Sequence, residues 1–212
     1  MRLHPVSCND GGLLVSESSV ATEAKASLLA NAIPLGLLGY GMSTILLSLA
    51  NAGLYPVGGA VLSMAIFFGG IAQAMVAVML FWKGDTFGVT AFGGYAFLWL
   101  SFAFLNAGAG NGWWTVSSGE VGAYLLVWAV FTLGLVIASA VAPRVLTIIL
   151  ILTVILLASL GLGALTGGAA LRLFGGYEGI LTGALAVYLA FAFQINEMYG
   201  KTVFPVGKPF RA

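Results

Sequence analysis

The sequence predicts an all-α integral membrane protein of six transmembrane helices, arranged as a pseudo-repeat of three helical hairpins with a pore inside each protomer. Three observations carry this prediction. Of the 212 residues 60% are hydrophobic and only 7% charged, and mean hydropathy is +1.06, too little charge to cover a water-facing surface. The charges also avoid the apolar stretches: none falls between Ala26 and Trp82, or between Val145 and Leu171. Finally, the apolar residues divide into segments of about 20, the length an α-helix needs to cross a hydrocarbon core.

The first 26 residues stand apart. They contain Arg2, His4, Asp10, Glu17, Glu23 and Lys25 among many serines. No apolar run of signal-peptide length follows the basic start, so residues 1–26 read as a disordered cytoplasmic tail. The single cysteine, Cys8, falls here and has no partner for an intrachain disulfide.

The six-helix domain is expected over residues 27–198, with spans at Pro34–Leu54, Val57–Trp82, Thr86–Leu105, Val121–Val141, Val145–Thr166 and Phe174–Ile195. Asn31 and Pro34 are start signals for the first. Turn residues divide the rest: Asn51-Ala-Gly53, Lys83-Gly-Asp85, the glycine-rich Asn106–Gly112, Ala142-Pro143 and Gly167-Gly168. Backbone groups facing lipid must be satisfied internally, which favours a helical bundle. The alternating ten-residue segments of a β-barrel are not visible. A C-terminal tail covers residues 199–212.

Lys and Arg set the expected orientation. Arg2, Lys25, Lys83, Arg144, Lys201, Lys208 and Arg211 fall on one side and Arg172 alone on the other. The positive-inside rule then places both termini in the cytoplasm of a cell whose plasma membrane the chain crosses. Trp113 and Trp114 fall at the opposite interface, where aromatic anchors are usual.

The odd-numbered helices start on the same side, and each carries a bulky residue nine positions after its opening residue: Tyr40, Tyr95 and Leu152. Nine residues of helix rise about 13–14 Å, close to half of a ~30 Å hydrocarbon core. The three could share one layer, as in parallel repeats built around a midplane site. They could equally be packing residues of a bundle.

Polar side chains follow helical spacing as well. Tyr40, Thr44, Ser48 and Asn51 lie on one face of the first helix, and Tyr124, Trp128 and Thr132 on one face of the fourth. Thr86 and Thr90 repeat at four on the third, although Tyr95 falls off that face. Gln73 stands alone in the second, and an amide inside the membrane is costly enough to point to function. For the first-helix stripe, pore lining and interhelical bonding both remain open. Gly175, Gly179 and Gly183 read as a packing seam, as do Gly163 and Gly167.

Enzyme chemistry finds little support. His4 is the only histidine and Cys8 the only cysteine, so no zinc set can be assembled, nor a Ser-His pair inside the membrane. No Gly-rich loop carries the Lys of a phosphate cradle. A net charge of +1 argues against nucleic acid, and no cofactor is indicated. Asp85, Glu120 and Glu178 are expected as caps or surface charges near helix starts, which leaves Glu197 as a titrating group near the sixth helix end. No midplane carboxylate is expected to carry protons.

The chain resembles the acetate uptake transporter family, which includes the bacterial succinate–acetate permeases. The family hallmark Asn-Pro-Ala-Pro-Leu-Gly-Leu stands here as Asn31-Ala-Ile-Pro34-Leu-Gly-Leu37. Agreement continues through Gly39–Thr44, Phe68–Gln73, Gly84–Phe92, Tyr95, Trp128–Thr132 and Asn196–Gly207. The resemblance implies a homo-hexamer in membrane lipid, with a path for acetate or a related small carboxylate through each protomer. It implies an aromatic–aromatic–leucine constriction at Tyr40, Tyr95 and Leu152. Asn31, Ser43, Thr44, Asn51, Gln73, Thr90 and Trp128 would belong to the path, hydroxyls and amides among them offering hydrogen bonds. Where relatives often have Phe, Tyr40 would add a hydroxyl that makes the gate wetter. Ala32-Ile33 replaces Pro-Ala, Asp85 a usual Asn, and Leu80 a common Glu, so any role of that Glu does not carry over.

Two rival readings remain. One is a channel for a small neutral solute, water or ammonia. Asn31-Ala-Ile-Pro34 resembles one Asn-Pro-Ala box of aquaporins, but that fold needs two. The other is a non-transporting scaffold or sensor whose glycine seams form subunit contacts.

Overall fold

The computed structural model describes residues 29–211. The N-terminal segment with Cys8 and His4 lies outside the described residues. The chain divides into one unit ending at Asn31 and a second covering Ala32–Ala212, and the helices belong to the second.

Six helices there are long and apolar enough to cross a membrane: α1 Ile33–Asn51, α2 Gly59–Lys83, α3 Thr86–Gly110, α4 Ser118–Val141, α5 Arg144–Thr166 and α6 Ala169–Tyr199. Each packs on its neighbour in sequence, and α6 closes against α1. Contact between α3 and α4 is the slightest of these, yet Tyr95 and Tyr124 bond across it. The most extensive packing is between α1 and α6, from opposite ends of the described helices.

The start of α1 differs from expectation. Ala32, not Asn31, occupies the cap position, and it makes no side-chain cap bond. Pro34 sits in the first turn, where its missing N–H is not needed. The helix stops at Asn51, with Gly53 in the left-handed region at φ 84°.

In α2, residues Ala65–Ala72 wind as a π-helix, a form usually confined to single turns and associated with functional sites. Gly69 and Gly70 fall inside it and leave room for neighbours. A Cβ on Gly69 would stand 2.6 Å from the Trp99 ring and 2.9 Å from Ser43 Oγ. Gln73 then donates from Nε2 to the Gly69 carbonyl at 2.7 Å.

Asp85 caps α3 by accepting from Gly88 N at 2.8 Å. The glycine-rich stretch after Asn106, expected as loop, stays helical to Gly110. The chain then folds back so that Trp114 Nε1 donates to the Leu105 carbonyl at 3.2 Å, its ring over Gly108, where any Cβ would collide. Small residues here admit a tryptophan instead of ending the helix.

Ser117 and Glu120 form a capping box at the start of α4, which satisfies donors the first turn leaves open. At the far end Thr147 donates to the Ser139 carbonyl at 2.7 Å, joining the start of α5 to the end of α4.

Helix α6 begins at Ala169, five residues before its expected span. It lies against α1 through glycines. A Cβ on Gly41 would meet the Gly183 carbonyl at 2.7 Å, and one on Gly183 would meet the Gly41 carbonyl at 2.6 Å. Of the seam read from Gly175, Gly179 and Gly183, Gly183 thus makes a backbone-to-backbone contact, while Gly179 leaves room for the Ser48 side chain and Gly175 for that of Leu160. Beyond Gly200, Asn196 holds the C-terminal segment by accepting from Val203 N at 2.7 Å and Phe204 N at 2.9 Å. Arg144 lies over the Phe210 ring at 4.8 Å.

Candidate functional site: a cavity floored by two tyrosines

A cavity of about 600 Å³ lies inside the helix ring, toward the end where α1 stops and α6 begins. Along α1, α3 and α5 its lining begins at Tyr40, Tyr95 and Thr153 and continues toward each C-terminal end. The Tyr40 and Tyr95 rings meet at a centroid distance of 5.1 Å, tilted by 48°. Tyr40 is 7% exposed and Tyr95 5%, so the pair closes the space between helices at this level.

Each phenol is tied to a threonine. Tyr40 Oη lies 2.6 Å from Thr153 Oγ1, and Tyr95 Oη 3.0 Å from Thr132 Oγ1. Both threonines already donate to their own helix, Thr153 to Ile149 O at 2.7 Å and Thr132 to Trp128 O at 2.8 Å. A hydroxyl has one hydrogen, so in both pairs the tyrosine donates and the threonine accepts. The Tyr40 hydroxyl is therefore held within the bundle, and what it adds to the floor is an anchored ring.

Above the floor the walls alternate. Thr44, Ser48 and Asn51 line the α1 side and Asn106 and Tyr124 the opposite side, between Leu98, Phe102, Leu156 and Leu157. Thr44 donates to the Tyr40 carbonyl at 2.7 Å, and Tyr124 donates to the Leu98 carbonyl at 2.9 Å. Trp99 also lines the cavity, and its buried Nε1 has no partner. Arg172 supplies the one formal charge among the lining residues. Below the floor Leu80, Val76, Ile149 and Leu189 are no more than 2% exposed.

The structure thus gathers Tyr40, Thr44, Asn51 and Tyr95 at one cavity. It does not bring the other expected residues there. Ser43 is buried and donates to the Met64 carbonyl at 3.3 Å. Gln73 is fully buried and leaves Oε1 without a partner. Thr90 is exposed and bonds back to the Thr86 carbonyl at 2.9 Å. Trp128 packs edge-on against Phe131 at 5.4 Å. Asn31 belongs to the first unit. Leu152 is half-buried and outside the lining. It precedes Thr153 by one residue, a turn of about 100° around the helix, and Thr153 is the residue that meets Tyr40.

Glu178 also departs from expectation. It is the tenth residue of α6 rather than a cap, because the helix starts earlier than its apolar run. Its Oε1 accepts from Thr182 Oγ1 at 2.6 Å, while Oε2 is buried with no partner. Sequence reasoning missed Thr153, Trp99, Asn106 and Arg172 as lining residues. For Thr153 a signal was present, a hydroxyl isolated in the apolar run Ile148–Leu157.

Six membrane-length helices closed around a hydroxyl-studded cavity define a multi-pass membrane protein of the permease class. The chain belongs to the GPR1/FUN34/yaaH family, which it matches over residues 16–207. It is 40% identical over 181 residues to the succinate-acetate/proton symporter SatP of Escherichia coli K12, covering 85% of this chain and 96% of that one. It is 29% identical over 166 residues to ammonia transport outward protein 3 of Saccharomyces cerevisiae, covering 75% of this chain and 60% of that longer protein. The solved structure of the bacterial acetate channel SatP aligns with a TM-score of 0.83 at 40% identity, over 84% of this chain and 99% of that one.

Proposed function

We propose that the protein is a membrane permease or channel for acetate and similar small monocarboxylates, which enter the cavity and pass the Tyr40–Tyr95 floor. The observation that carries this reading is the floor itself, two rings 5.1 Å apart beneath walls that hold uncharged donors and acceptors. A methyl group suits an aromatic constriction, while a carboxylate needs hydrogen bonds beside it; hydrophobic constrictions are an established way to gate. Ser48, Asn51 and the Trp99 indole are the donors offered, since Thr44 gives its hydrogen to the Tyr40 carbonyl. Uncharged donors hold an anion weakly enough for it to leave again. The names of the two SatP relatives support the same solute class.

The cavity lining includes no Asp or Glu. In this reading a coupled proton travels with the solute rather than on a carboxylate of the path. Lys83, Arg144, Lys201, Lys208 and Arg211 gather at the end opposite Arg172, so by the positive-inside rule the cavity faces outward and the C-terminus lies in the cytoplasm. Assembly as a homo-hexamer completes the proposal and is checked by the mass of the detergent-solubilised protein.

Uptake of labelled acetate by proteoliposomes tests the function. Saturable uptake above protein-free vesicles is expected; none would leave a scaffold or sensor. An ammonia path, suggested by the yeast relative's name, predicts instead fast ammonia flux with no acetate uptake. Stopped-flow water permeability separates a water channel in the same preparation.

A further inference from the structure

We infer that Arg172 is the residue that draws the carboxylate into the cavity, and that it sets apparent affinity and dependence on salt rather than the rate of passage. The inference rests on the permease reading above.

The geometry singles this residue out. Arg172 lies in the first turns of α6 and lines the 600 Å³ cavity. It also lines a neighbouring cavity of about 440 Å³, which shares Asn51, Val57 and Ala169 with the first. A solute coming from that end therefore meets the guanidinium and the Asn51 amide before it reaches any residue of the floor. The side chain is exposed, and no carboxylate of the described residues forms an ion pair with it. Glu120 is engaged in the capping box of α4, and Glu178 accepts from Thr182 of its own helix. Neither is a lining residue of either cavity.

Physical chemistry then gives the arrangement a direction. Acetate is an anion at neutral pH, since carboxylic acids titrate well below it. The cavity walls are mostly apolar, and a low-dielectric funnel concentrates the field of a single charge at its mouth. Arg remains charged and presents a planar fork that fits a carboxylate. The positive end of the α6 dipole adds to the same potential. Deeper in, the solute meets only uncharged groups, so the attraction acts at entry and fades along the path.

The test uses the full chain in proteoliposomes, with labelled acetate added from the Arg172 side. Wild type is compared with Arg172→Gln, Arg172→Lys and Arg172→Glu at low and high ionic strength. Arg172→Gln should raise the half-saturating acetate concentration roughly three- to thirtyfold at low salt, with the maximal rate little changed. High salt should close most of that gap. Arg172→Lys should restore much of the affinity, and Arg172→Glu should be worse than Arg172→Gln. An active wild type with an unchanged half-saturating concentration in Arg172→Gln overturns this role alone. So does a lower maximal rate at constant half-saturation, which would mark a structural or headgroup-anchoring residue. A wild type that carries no acetate at all overturns the permease reading first.

Discussion

Tyr40 donates its phenolic hydrogen to Thr153 Oγ1 at 2.6 Å, because Thr153 has already spent its own hydrogen on the Ile149 carbonyl. The bond fixes a ring of α1 to the middle of α5 and sets the level of the cavity floor. Thr153→Val should leave a buried hydroxyl unsatisfied and cost about 1–3 kcal/mol. In the Thr153→Val background, Tyr40→Phe should recover most of the loss, since the orphaned group is then gone. A double-mutant cycle of melting temperatures in detergent checks this, and simple additivity would contradict the bond's role.

Size selection should follow the rings. Tyr95→Ala is expected to raise butyrate flux relative to acetate about tenfold, the scale on which a pocket discriminates by methylene groups. Leu156→Ala, in the cavity wall, should shift the ratio in the same direction but less. Leu152→Ala should leave it unchanged, because that side chain is outside the lining. Competition by unlabelled carboxylates against labelled acetate measures all three.

The α1–α6 contact should tolerate no added carbon. Gly183→Ala brings a Cβ within 2.6 Å of the Gly41 carbonyl, and overpacking of this kind costs about 1–3 kcal/mol. Gly134→Ala, with nothing within 4 Å of its Cβ, should be neutral or gain up to about 1 kcal/mol through helix propensity. Thermal unfolding of the two variants side by side checks the contrast.

Asp85 acts through its cap. Asp85→Ala removes the acceptor for Gly88 N and should cost about 1 kcal/mol, while Asp85→Asn should cost only a few tenths. If the residue instead repels anions near the inner mouth, Asp85→Asn would raise acetate efflux with no change in melting temperature.

The six helices were legible because lipid leaves few alternatives: a charge-free apolar run of membrane length must be a helix. Their ends were less so. Apolarity marks what contacts hydrocarbon, whereas α6 starts at Ala169 and α3 continues to Gly110 through residues whose partners are protein. Asn106–Gly110 looks like a loop until Trp114 is seen lying on Gly108.

The site was legible in half. Tyr40, Thr44 and Asn51 share a face by helical spacing, and that face does line the cavity. Counting nine residues from Pro143 gave Leu152, but depth along a helix says nothing about direction around it, and one residue further on is the side chain bonded to Tyr40. Gln73 and Ser43 were conspicuous as polar groups in apolar runs; each serves a backbone carbonyl near the π-helical segment. Arg172 looked like an odd cation on the wrong side until α6 placed it at the mouth.

The central claim is that small carboxylates travel through this cavity. Asn51→Cys in a Cys8→Ser background puts one thiol on the lining of both cavities, and a negatively charged methanethiosulfonate reagent can be attached to it in proteoliposomes. We expect modification to abolish most labelled-acetate uptake, and excess acetate to slow the modification. Complete modification with undiminished uptake would contradict the account.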